Sequence, residues 1–370
     1  MTSCLVRSAS AYAPGRVELL GNHTDYNRGV VLAAAIDRGI TARGNSRKDE
    51  LITLASDLAP GRVEVPLADV RPQPTERWAN YPLGVVQQLQ RLGYHIGGFE
   101  ARISGDVPAG AGLSSSAALE VATAGLLMKL NGLQIAPLEV AKLCQRAENE
   151  FVGVRSGLLD QATSVFGRAD HVVYLDCQTE DVRTIPFPRG FALVIVESGV
   201  KHSLLQSQYN ARREECAAAA KTLGVATLRE VTPEALERAR ASLDPLLHRR
   251  ATHIVGENER VWGAVDAMQS GDAQAIGALM YASHESSRVN FENSAPELDQ
   301  LVSIAQSIAG VLGSRLTGGG FGGGTVTLVE AERASEVVEQ IRNQYALRTG
   351  ETPAGFVCRI ADGAAVSWSG

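Results

Sequence analysis

Residues 15–37, GRVELLGNHTDYNRGVVLAAAID, place a dense polar cluster directly before an apolar run. Asn and Gly are the residue types of a tight turn, so a turn accounts for them. It does not account for His23, Asp25 and Tyr26 together, because a turn does not need three such hydrogen-bonding side chains. The apolar run at 30–37 is typical of a buried strand. The stretch therefore predicts a buried strand with a ligand-binding cluster at its start.

Size and composition narrow the class of protein. The chain has 370 residues, which is long for one hydrophobic core and favours two domains. Its formal net charge is −6 with acidic and basic residues interspersed, which does not favour binding to nucleic acid or to an anionic membrane. Residues 1–17 lack the apolar core of a signal peptide, and no run approaches the roughly 18 apolar residues of a membrane span.

The cysteines indicate a reducing compartment. They are Cys4, Cys144, Cys177, Cys216 and Cys358. Their number is odd and their spacing is not that of metal ligands. We therefore expect a cytoplasmic protein with reduced thiols, no nucleic-acid partner and no membrane partner.

The order of predicted elements indicates an α+β fold. Segments with alternation or β-branched residues predict strands at 30–37, 51–56, 99–105, 171–176, 191–198, 311–317, 324–330 and 355–360. Helical spacing predicts helices at 116–132, 137–151, 210–224, 257–271, 272–286 and 296–310. This order lacks a regular βαβ alternation. We expect one domain over 1–185 and a second over 186–370, divided near TIPFPRG at 184–190.

The stretch PAGAGLSSSAALEVA at 108–122 joins a glycine turn to three serines and a run of good helix formers. Converging backbone N–H groups, a helix amino terminus and hydroxyl donors together make a cradle for nucleotide phosphates. One of the hydroxyls could also ligate magnesium. The alternative is a serine N-cap, but one serine is enough for a cap. The stretch is not a Walker A loop, because G-x-x-x-x-G-K-[ST] is absent.

The stretch LTGGGFGGGTVTLV at 316–329 has six glycines within seven residues. It formally matches the dinucleotide-binding pattern G-x-G-x-x-G, which must open a helix. The following residues, TVTLV, alternate as a strand, so that interpretation fails. The run instead predicts backbone that passes close to a ligand or to the other domain.

In order along the chain, these three stretches resemble the signature motifs of the GHMP small-molecule kinases, and the first resembles the galactokinase signature. Further matches link them, namely WANYPLGVV (78–86), AENEFVGVRSGLLDQ (147–161), GVKHSLLQSQYNARREEC (199–216) and ENERV (257–261). The resemblance implies a two-domain α+β kinase with the site in the cleft. Its amino-terminal domain would have a mixed sheet (ribosomal protein S5 domain 2-like), and its carboxy-terminal domain would be ferredoxin-like. We expect a monomer.

The resemblance also implies an activity and roles for individual residues. The γ-phosphoryl group of ATP would pass to the anomeric hydroxyl of galactose, with Mg²⁺ as cofactor. Asp160 matches the family's catalytic aspartate, and Arg16 matches the arginine beside it. Ser116 and Glu148 match magnesium ligands, and Trp78 matches a residue near the adenine. The ATP phosphates would be bound by Gly110, Gly112, Leu113, Ser114, Ser115, Ser116 and Ala117. The sugar would be bound by Asn22, His23, Asp25, Gly157, Tyr209, Gly319 and Gly320.

Local sequence offers simpler interpretations of several of these residues. Asp160 could be an N-cap, and Glu148 and Glu150 could form a solvated helix face. Tyr209 could anchor a helix that begins near residue 210. For His202 and His284 we expect structural or surface positions.

Some positions depart from the galactokinase pattern and leave the sugar open. That pattern usually reads G-E-H-T-D-Y, and here Asn22 replaces the glutamate. Residues 287–291, SRVNF, stand where the family usually has LRDDY, and Ala295 and Gly324 stand near positions where cysteine is common. A kinase of another hexose or an amino sugar, and a galactose- and ATP-binding sensor without catalysis, remain alternatives.

Overall fold

Two sheets organise the chain, which we describe from a computed structural model covering residues 6–108, 110–200 and 205–368. The first sheet has the order β12-β1-β2-β5-β3-β4, and β2 also pairs with β6, which pairs with β7. Among the strand pairs of the described residues in this sheet, only β3 and β5 run parallel, so this sheet is mixed, as predicted. Its strands are β1 (Ser8–Leu20), β2 (Val30–Ser46), β3 (Leu51–Ser56), β4 (Arg62–Pro66), β5 (Phe99–Gly105), β6 (His171–Asp176), β7 (Asp181–Pro186) and β12 (Ala365–Trp368).

Four helices pack together beside this sheet. They are α1 (Asn80–Arg91), α2 (Ser115–Asn131), α3 (Pro137–Arg146) and α4 (Leu159–Phe166). The helix α2 packs on β1 and β2 and is buried on nearly all sides. That burial agrees with its sequence, since a helix that is apolar all round belongs inside the core. The start of α2 is thereby fixed against β1.

The second sheet is antiparallel and has the order β11-β8-β10-β9. Its strands are β8 (Phe191–Glu197), β9 (Val311–Thr317), β10 (Gly324–Glu330) and β11 (Gly355–Cys358). Between them come α5 (Leu205–Leu223), α6 (Pro233–Arg238), α7 (Pro245–Ser270), α8 (Ala273–Ser286), α9 (Pro296–Gln306) and α10 (Ala334–Thr349). Strand, helices, hairpin, helix and strand in this order give the predicted ferredoxin-like arrangement. Apolar side chains of β8 and β10 join the core of the first sheet.

The predicted strands 51–56, 99–105, 171–176, 311–317 and 324–330 have the observed bounds. The helices differ more. The helix predicted at 257–271 belongs to α7, which begins at Pro245 because the Asp244 side chain accepts a hydrogen bond from the Leu246 N–H. The helix predicted at 137–151 ends at Arg146 and continues as a π-helical turn, Ala147–Val152. Neither α10 nor β1 was predicted.

The predicted division of the chain falls beside the end of β7 and remains a proposal. The last strand, β12, lies beyond it but returns to the first sheet, where Ala365 pairs with Tyr12 of β1. Of the helices in the described ranges, none combines the length and hydropathy needed to cross a bilayer. Cys4 and His202 lie outside those ranges, and the other four cysteines are free thiols, as predicted.

Candidate active site

A cavity of about 460 Å³ opens between the two halves of the chain. One side is formed by β1 and by the starts of α2 and α4, and the other by α5 and the loop between β9 and β10. All the predicted site residues line it except Trp78 and Ala117. Those that line it are Arg16, Asn22, His23, Asp25, Gly110, Gly112, Leu113, Ser114, Ser115, Ser116, Glu148, Gly157, Asp160, Tyr209, Gly319 and Gly320.

Asp160 lines this cavity and is held by two side chains. Arg16 Nε and Nη2 both lie 2.7 Å from Asp160 Oδ1. The Ser114 hydroxyl donates a hydrogen bond to Asp160 Oδ2. Arg16 is itself fixed, because its Nη1 donates to the Gly112 carbonyl at 2.6 Å. The N-cap interpretation of Asp160 is wrong, since the cap position of α4 is Leu158.

The glycine–serine loop leaves the start of α2 without a side-chain cap. Ser114 occupies the cap position with φ of 54°, and its hydroxyl turns to Asp160 instead of to the helix. The simple N-cap interpretation of the serines is therefore wrong. The first backbone N–H groups of a helix have no partner within the helix, and uncapped they attract an anion.

The second glycine run passes the first at close range. It joins the antiparallel strands β9 and β10 and opens no helix, as predicted. A Cβ on Gly112 would lie 2.8 Å from the Thr317 carbonyl oxygen, and one on Gly318 would lie 2.9 Å from the Gly112 carbonyl oxygen. Larger residues would push the two loops apart, so the predicted close approach of backbone is confirmed.

Glu148 is buried at the cavity wall, and the solvated-face interpretation is wrong for it. Its Oε2 accepts hydrogen bonds from Ser156 Oγ at 2.5 Å and from Gln161 Nε2 at 3.0 Å. Burial raises the pKa of Glu148, while the hydrogen bond from Ser156 acts in the opposite direction. Glu150 fits the surface interpretation, since its half-exposed carboxylate pairs with Arg91.

A second buried carboxylate lies behind Glu148. Gln161 donates from the same Nε2 to Glu120 Oε2 at 3.0 Å. Burial, and then the nearby charge of Glu148, raise the pKa of Glu120 well above its usual value. Sequence reasoning missed both Gln161 and Glu120, although Gln161 directly follows Asp160.

The acidic groups near the loop suit a nucleotide-bound Mg²⁺ better than a protein-only metal site. Among the described residues, no group of three or more His, Cys, Asp or Glu side chains could hold a metal. Mg²⁺ in kinases keeps waters and substrate phosphates and takes only one or two carboxylates. Glu148 and Ser116 offer one carboxylate and one hydroxyl to the cavity, and these hard oxygen donors fit the ion.

His23 supports the site rather than offering free nitrogens. Its Nε2 lies 3.0 Å from the Gly319 carbonyl and its Nδ1 lies 2.8 Å from the Tyr26 hydroxyl. A carbonyl can only accept, so Nε2 carries the proton and Nδ1 accepts from Tyr26. Burial lowers the pKa of His23 to about 4, which keeps the ring neutral. The ring also lies 4.9 Å from that of Tyr209 and 4.6 Å from that of Phe291, centroid to centroid. Both ring nitrogens are therefore engaged within the protein, and the binding of the sugar by His23 stays a prediction.

Asp25 and Gly157 fit each other closely. A Cβ on Gly157 would lie 2.0 Å from Asp25 Oδ2, so only glycine lets the two meet. Burial, and then the charge of Asp160, raise the pKa of Asp25 to about 7. A carboxylate with this pKa changes its protonation near neutral pH.

Two predicted nucleotide residues lie outside the cavity lining. Trp78 is partly buried, and its Nε1 donates to the Pro60 carbonyl at 3.3 Å. Ala117 is fully buried inside α2. Tyr81 lines the cavity instead, three residues after Trp78. Sequence reasoning also missed Glu18, which shares a strand face with Arg16 because side chains two apart point the same way. That alternation was the signal that could have found it.

Family models match three stretches of the chain that contribute to this site. The model of the GHMP kinases N terminal domain matches residues 80–168, that of the GHMP kinases C terminal matches 264–347, and that of the galactokinase galactose-binding signature matches 7–45. A galactokinase of Roseiflexus sp. (strain RS-1) is 43% identical over 357 residues, or 95% of this chain and 91% of that protein. A galactokinase of Glaesserella parasuis serovar 5 (strain SH0165) is 41% identical over 366 residues, or 96% and 94%.

A solved structure agrees with these matches. The crystal structure of Lactococcus lactis galactokinase complexed with galactose has a TM-score of 0.93 and 35% identity, covering 98% of this chain and 95% of that one. Because the matches span both sheets and the loops between them, the class is that of the GHMP kinases, which are ATP-dependent small-molecule kinases. Within this class, the chain belongs to the galactokinase family.

Proposed function

We propose that this protein transfers the γ-phosphoryl group of ATP to the anomeric hydroxyl of galactose, giving α-galactose 1-phosphate and ADP. The observation that carries the proposal is the position of Asp160. Its carboxylate is held by Arg16 and Ser114 in the cavity that the glycine–serine loop shares with Asn22, Asp25 and the other predicted sugar-binding residues.

In this step the anomeric oxygen forms a bond to the γ-phosphorus as the bond from that phosphorus to the β-bridging oxygen breaks. Asp160 accepts the proton of the anomeric hydroxyl, and ADP leaves with the electrons of the broken bond. Positioning and charge stabilisation supply most of the catalysis in phosphoryl transfer. Arg16 holds the Asp160 carboxylate at its orientation and places positive charge where negative charge builds on the transferring oxygens.

Mg²⁺ would be held by Ser116 and Glu148, next to the uncapped start of α2. When bound, the ion neutralises charge on the nucleotide phosphates. The hydrogen bonds from Ser156 and Gln161 to Glu148 Oε2 orient the carboxylate toward that position. We further propose that the protein acts in the cytoplasm as a monomer. Cell fractionation tests the location, and light scattering coupled to size-exclusion chromatography tests the oligomeric state.

A coupled ADP-release assay tests the function over galactose, glucose, galactosamine, N-acetylgalactosamine, arabinose and glucuronate. We expect galactose to give the highest kcat/KM and the product to carry phosphorus on the anomeric carbon by ³¹P NMR. A higher kcat/KM for another sugar would assign the protein to that sugar instead. Binding of galactose and ATP without ADP release would favour the sensor.

Asp160→Asn is the matched control for catalysis. It keeps the size of the side chain and removes the proton acceptor, so we expect kcat to fall about 10²–10⁴-fold with little change in ATP affinity. Near-normal turnover of this variant would contradict the mechanism.

A further inference from the structure

Asn22, the residue that departs from the family motif, has its side-chain amide bonded within the protein. Its Nδ2 donates to Glu18 Oε1 at 3.0 Å and to the Gly318 carbonyl at 2.7 Å. Its Oδ1 accepts from Asn293 Nδ2 at 2.8 Å. Asn22 is only 1% exposed. Because both amide hydrogens are engaged, Asn22 has none left to donate to a sugar.

Glu18 has the complementary arrangement. Its Oε1 accepts from Asn22 and also from Arg315 Nη1 at 3.1 Å. Its Oε2 has no hydrogen-bond partner among the described residues and is not sealed from solvent either. Glu18 lines the same cavity as Arg16 and Asp25. One oxygen of the carboxylate is therefore anchored, and the other faces the site as a free acceptor.

Positions 18 and 22 are matched to each other. A glutamate at 22 would have no hydrogen to donate to the Gly318 carbonyl or to Glu18. It would also place a second carboxylate within hydrogen-bond distance of the Glu18 carboxylate, where burial strengthens the repulsion of like charges. In this chain a carboxylate beside Asp25 is thus supplied from β1 by Glu18, and the amide at 22 holds it in place.

We propose that Glu18 determines sugar specificity by accepting, through Oε2, a hydrogen bond from one non-anomeric hydroxyl of the sugar. This role rests on the proposed function, and it restricts the sugar substrate to a neutral hexose. A uronate, whose carboxylate would face Glu18 and Asp25, is rejected. A buried acceptor left unpaired by a sugar that lacks the hydroxyl gives strong discrimination.

The test measures kcat/KM of the wild type and of Glu18→Gln for galactose and its 2-, 3-, 4- and 6-deoxy derivatives. Glutamine can keep the Oε1 contacts to Asn22 and Arg315 and replaces the free acceptor by an N–H donor. In the wild type, we expect kcat/KM for one of the deoxy sugars to be about 10–100-fold lower than that for galactose. In the variant, kcat/KM for galactose should fall by a similar factor. For that deoxy sugar, kcat/KM should fall by no more than threefold from its wild-type value.

The other deoxy sugars act as internal controls. They keep the contacted hydroxyl, so their kcat/KM should fall by the same factor as that of galactose, and their ratios to galactose should stay unchanged in the variant. The proposal is overturned if Glu18→Gln lowers kcat/KM by the same factor for every sugar, or if it leaves kcat/KM for galactose unchanged. If the wild type phosphorylates no sugar, the proposed function fails instead, and calorimetric sugar affinities then carry the same comparison for Glu18.

Glu18→Gln weakens the pairing of buried Arg315, so folding is checked by Tm and by binding of an ATP analogue. Should the variant not fold, Glu18→Asp keeps the charge for Arg315 and withdraws the carboxylate by one methylene, and the same pattern is expected. A crystal of the wild type with galactose needs no variant. If no sugar hydroxyl other than the anomeric one lies within hydrogen-bond distance of Glu18 Oε2, the proposal is overturned.

Discussion

Among single residues, Ser114 shows most clearly that the site holds a backbone conformation which its residue type disfavours. Its φ of 54° is left-handed, a conformation that costs a residue other than glycine roughly 1–2 kcal/mol. The conformation directs the hydroxyl to Asp160 and leaves the start of α2 uncapped. Backbone strain at such a position is maintained by its surroundings and is typical of functional sites.

Two substitutions of Ser114 separate its hydroxyl from its backbone. Ser114→Ala and Ser114→Gly both remove the donor to Asp160 Oδ2, so we expect both to lower kcat about 10–100-fold, as for a lost hydrogen bond to a charged group. The glycine variant should have the higher Tm, because glycine adopts the left-handed conformation without strain. Steady-state kinetics and thermal unfolding check the pair. Equal kcat in wild type and both variants would remove Ser114 from the mechanism.

We expect Asp25 to make sugar binding depend on pH. Its pKa in the folded protein is about 7, so the carboxylate loses its charge progressively as pH falls below neutrality. The ionised form is the better acceptor for sugar hydroxyls, and we expect the sugar KM to rise as pH falls from 8 to 5. Asp25→Asn has no such ionisation, so its weaker sugar affinity should vary much less over that range. A wild-type KM with no more pH dependence than that of the variant would contradict the prediction.

The same carboxyl group affects stability with the opposite slope. Its pKa is about 4 in an unfolded chain and about 7 in the folded one, so the folded state holds the proton more tightly. Stability from this group is fully present below pH 4 and is lost as pH rises to 7. We expect the Tm of the wild type relative to Asp25→Asn to fall over that window. A constant difference in Tm would mean that Asp25 does not titrate there.

At the scale of elements, β1 contributes side chains to the cavity, and β12 pairs with the first half of β1. Arg16 and Glu18 alternate onto the cavity face of β1, which lies between β2 and β12 in the sheet. Residues Ala9–Tyr12 of β1 pair with β12. Without β12 this part of β1 would be an open edge, which exposes unpaired backbone groups and invites association.

Truncation after Ala364 removes β12 and tests that role. At about 1 kcal/mol for each lost backbone hydrogen bond, we expect Tm to fall by about 5 °C and self-association to increase. A chain that ends at Trp368 keeps the strand and is the control. If both truncations unfold at the temperature of the full chain, β12 does not stabilise β1.

At the scale of the whole molecule, long-range contacts assemble the site. Glu18 of β1 pairs with buried Arg315 of β9. Glu257 of α7 accepts hydrogen bonds from the backbone N–H groups of Gly21 and Asn22 at 3.0 and 2.9 Å. These contacts fix the polar cluster from the second half of the chain, so the cavity exists only when both halves are folded together.

Ligands should therefore stabilise the molecule as one unit. At 100 times its Kd a ligand adds about 2.7 kcal/mol, and we expect galactose or a non-hydrolysable ATP analogue each to raise Tm by about 3–4 °C in a single transition. Asp160→Asn should show a similar shift with the ATP analogue, because it changes chemistry more than nucleotide binding. An unfolding transition that moves with neither ligand would show that one half unfolds independently of the site.

The sequence by itself determined the α+β class and the residue types of the site. Strand alternation predicted β3, β5 and β6 with their bounds, because the signal for a short buried strand lies within the strand. The ordered motifs and the matches that link them placed Arg16, Ser114 and Asp160 in one site through their resemblance to the family. These features are local or depend on the order of motifs, so sequence alone is enough to find them.

Only the tertiary structure decided which polar atoms remain free for a ligand. Asn22 is bonded to Asn293, which is 271 residues away, and His23 to Gly319, which is 296 residues away. A residue type states what a side chain can donate or accept, but its partners follow from how distant segments pack. That is why Glu18 was missed, and why the position of Trp78 near the adenine stays a prediction, since its indole donates to the Pro60 carbonyl.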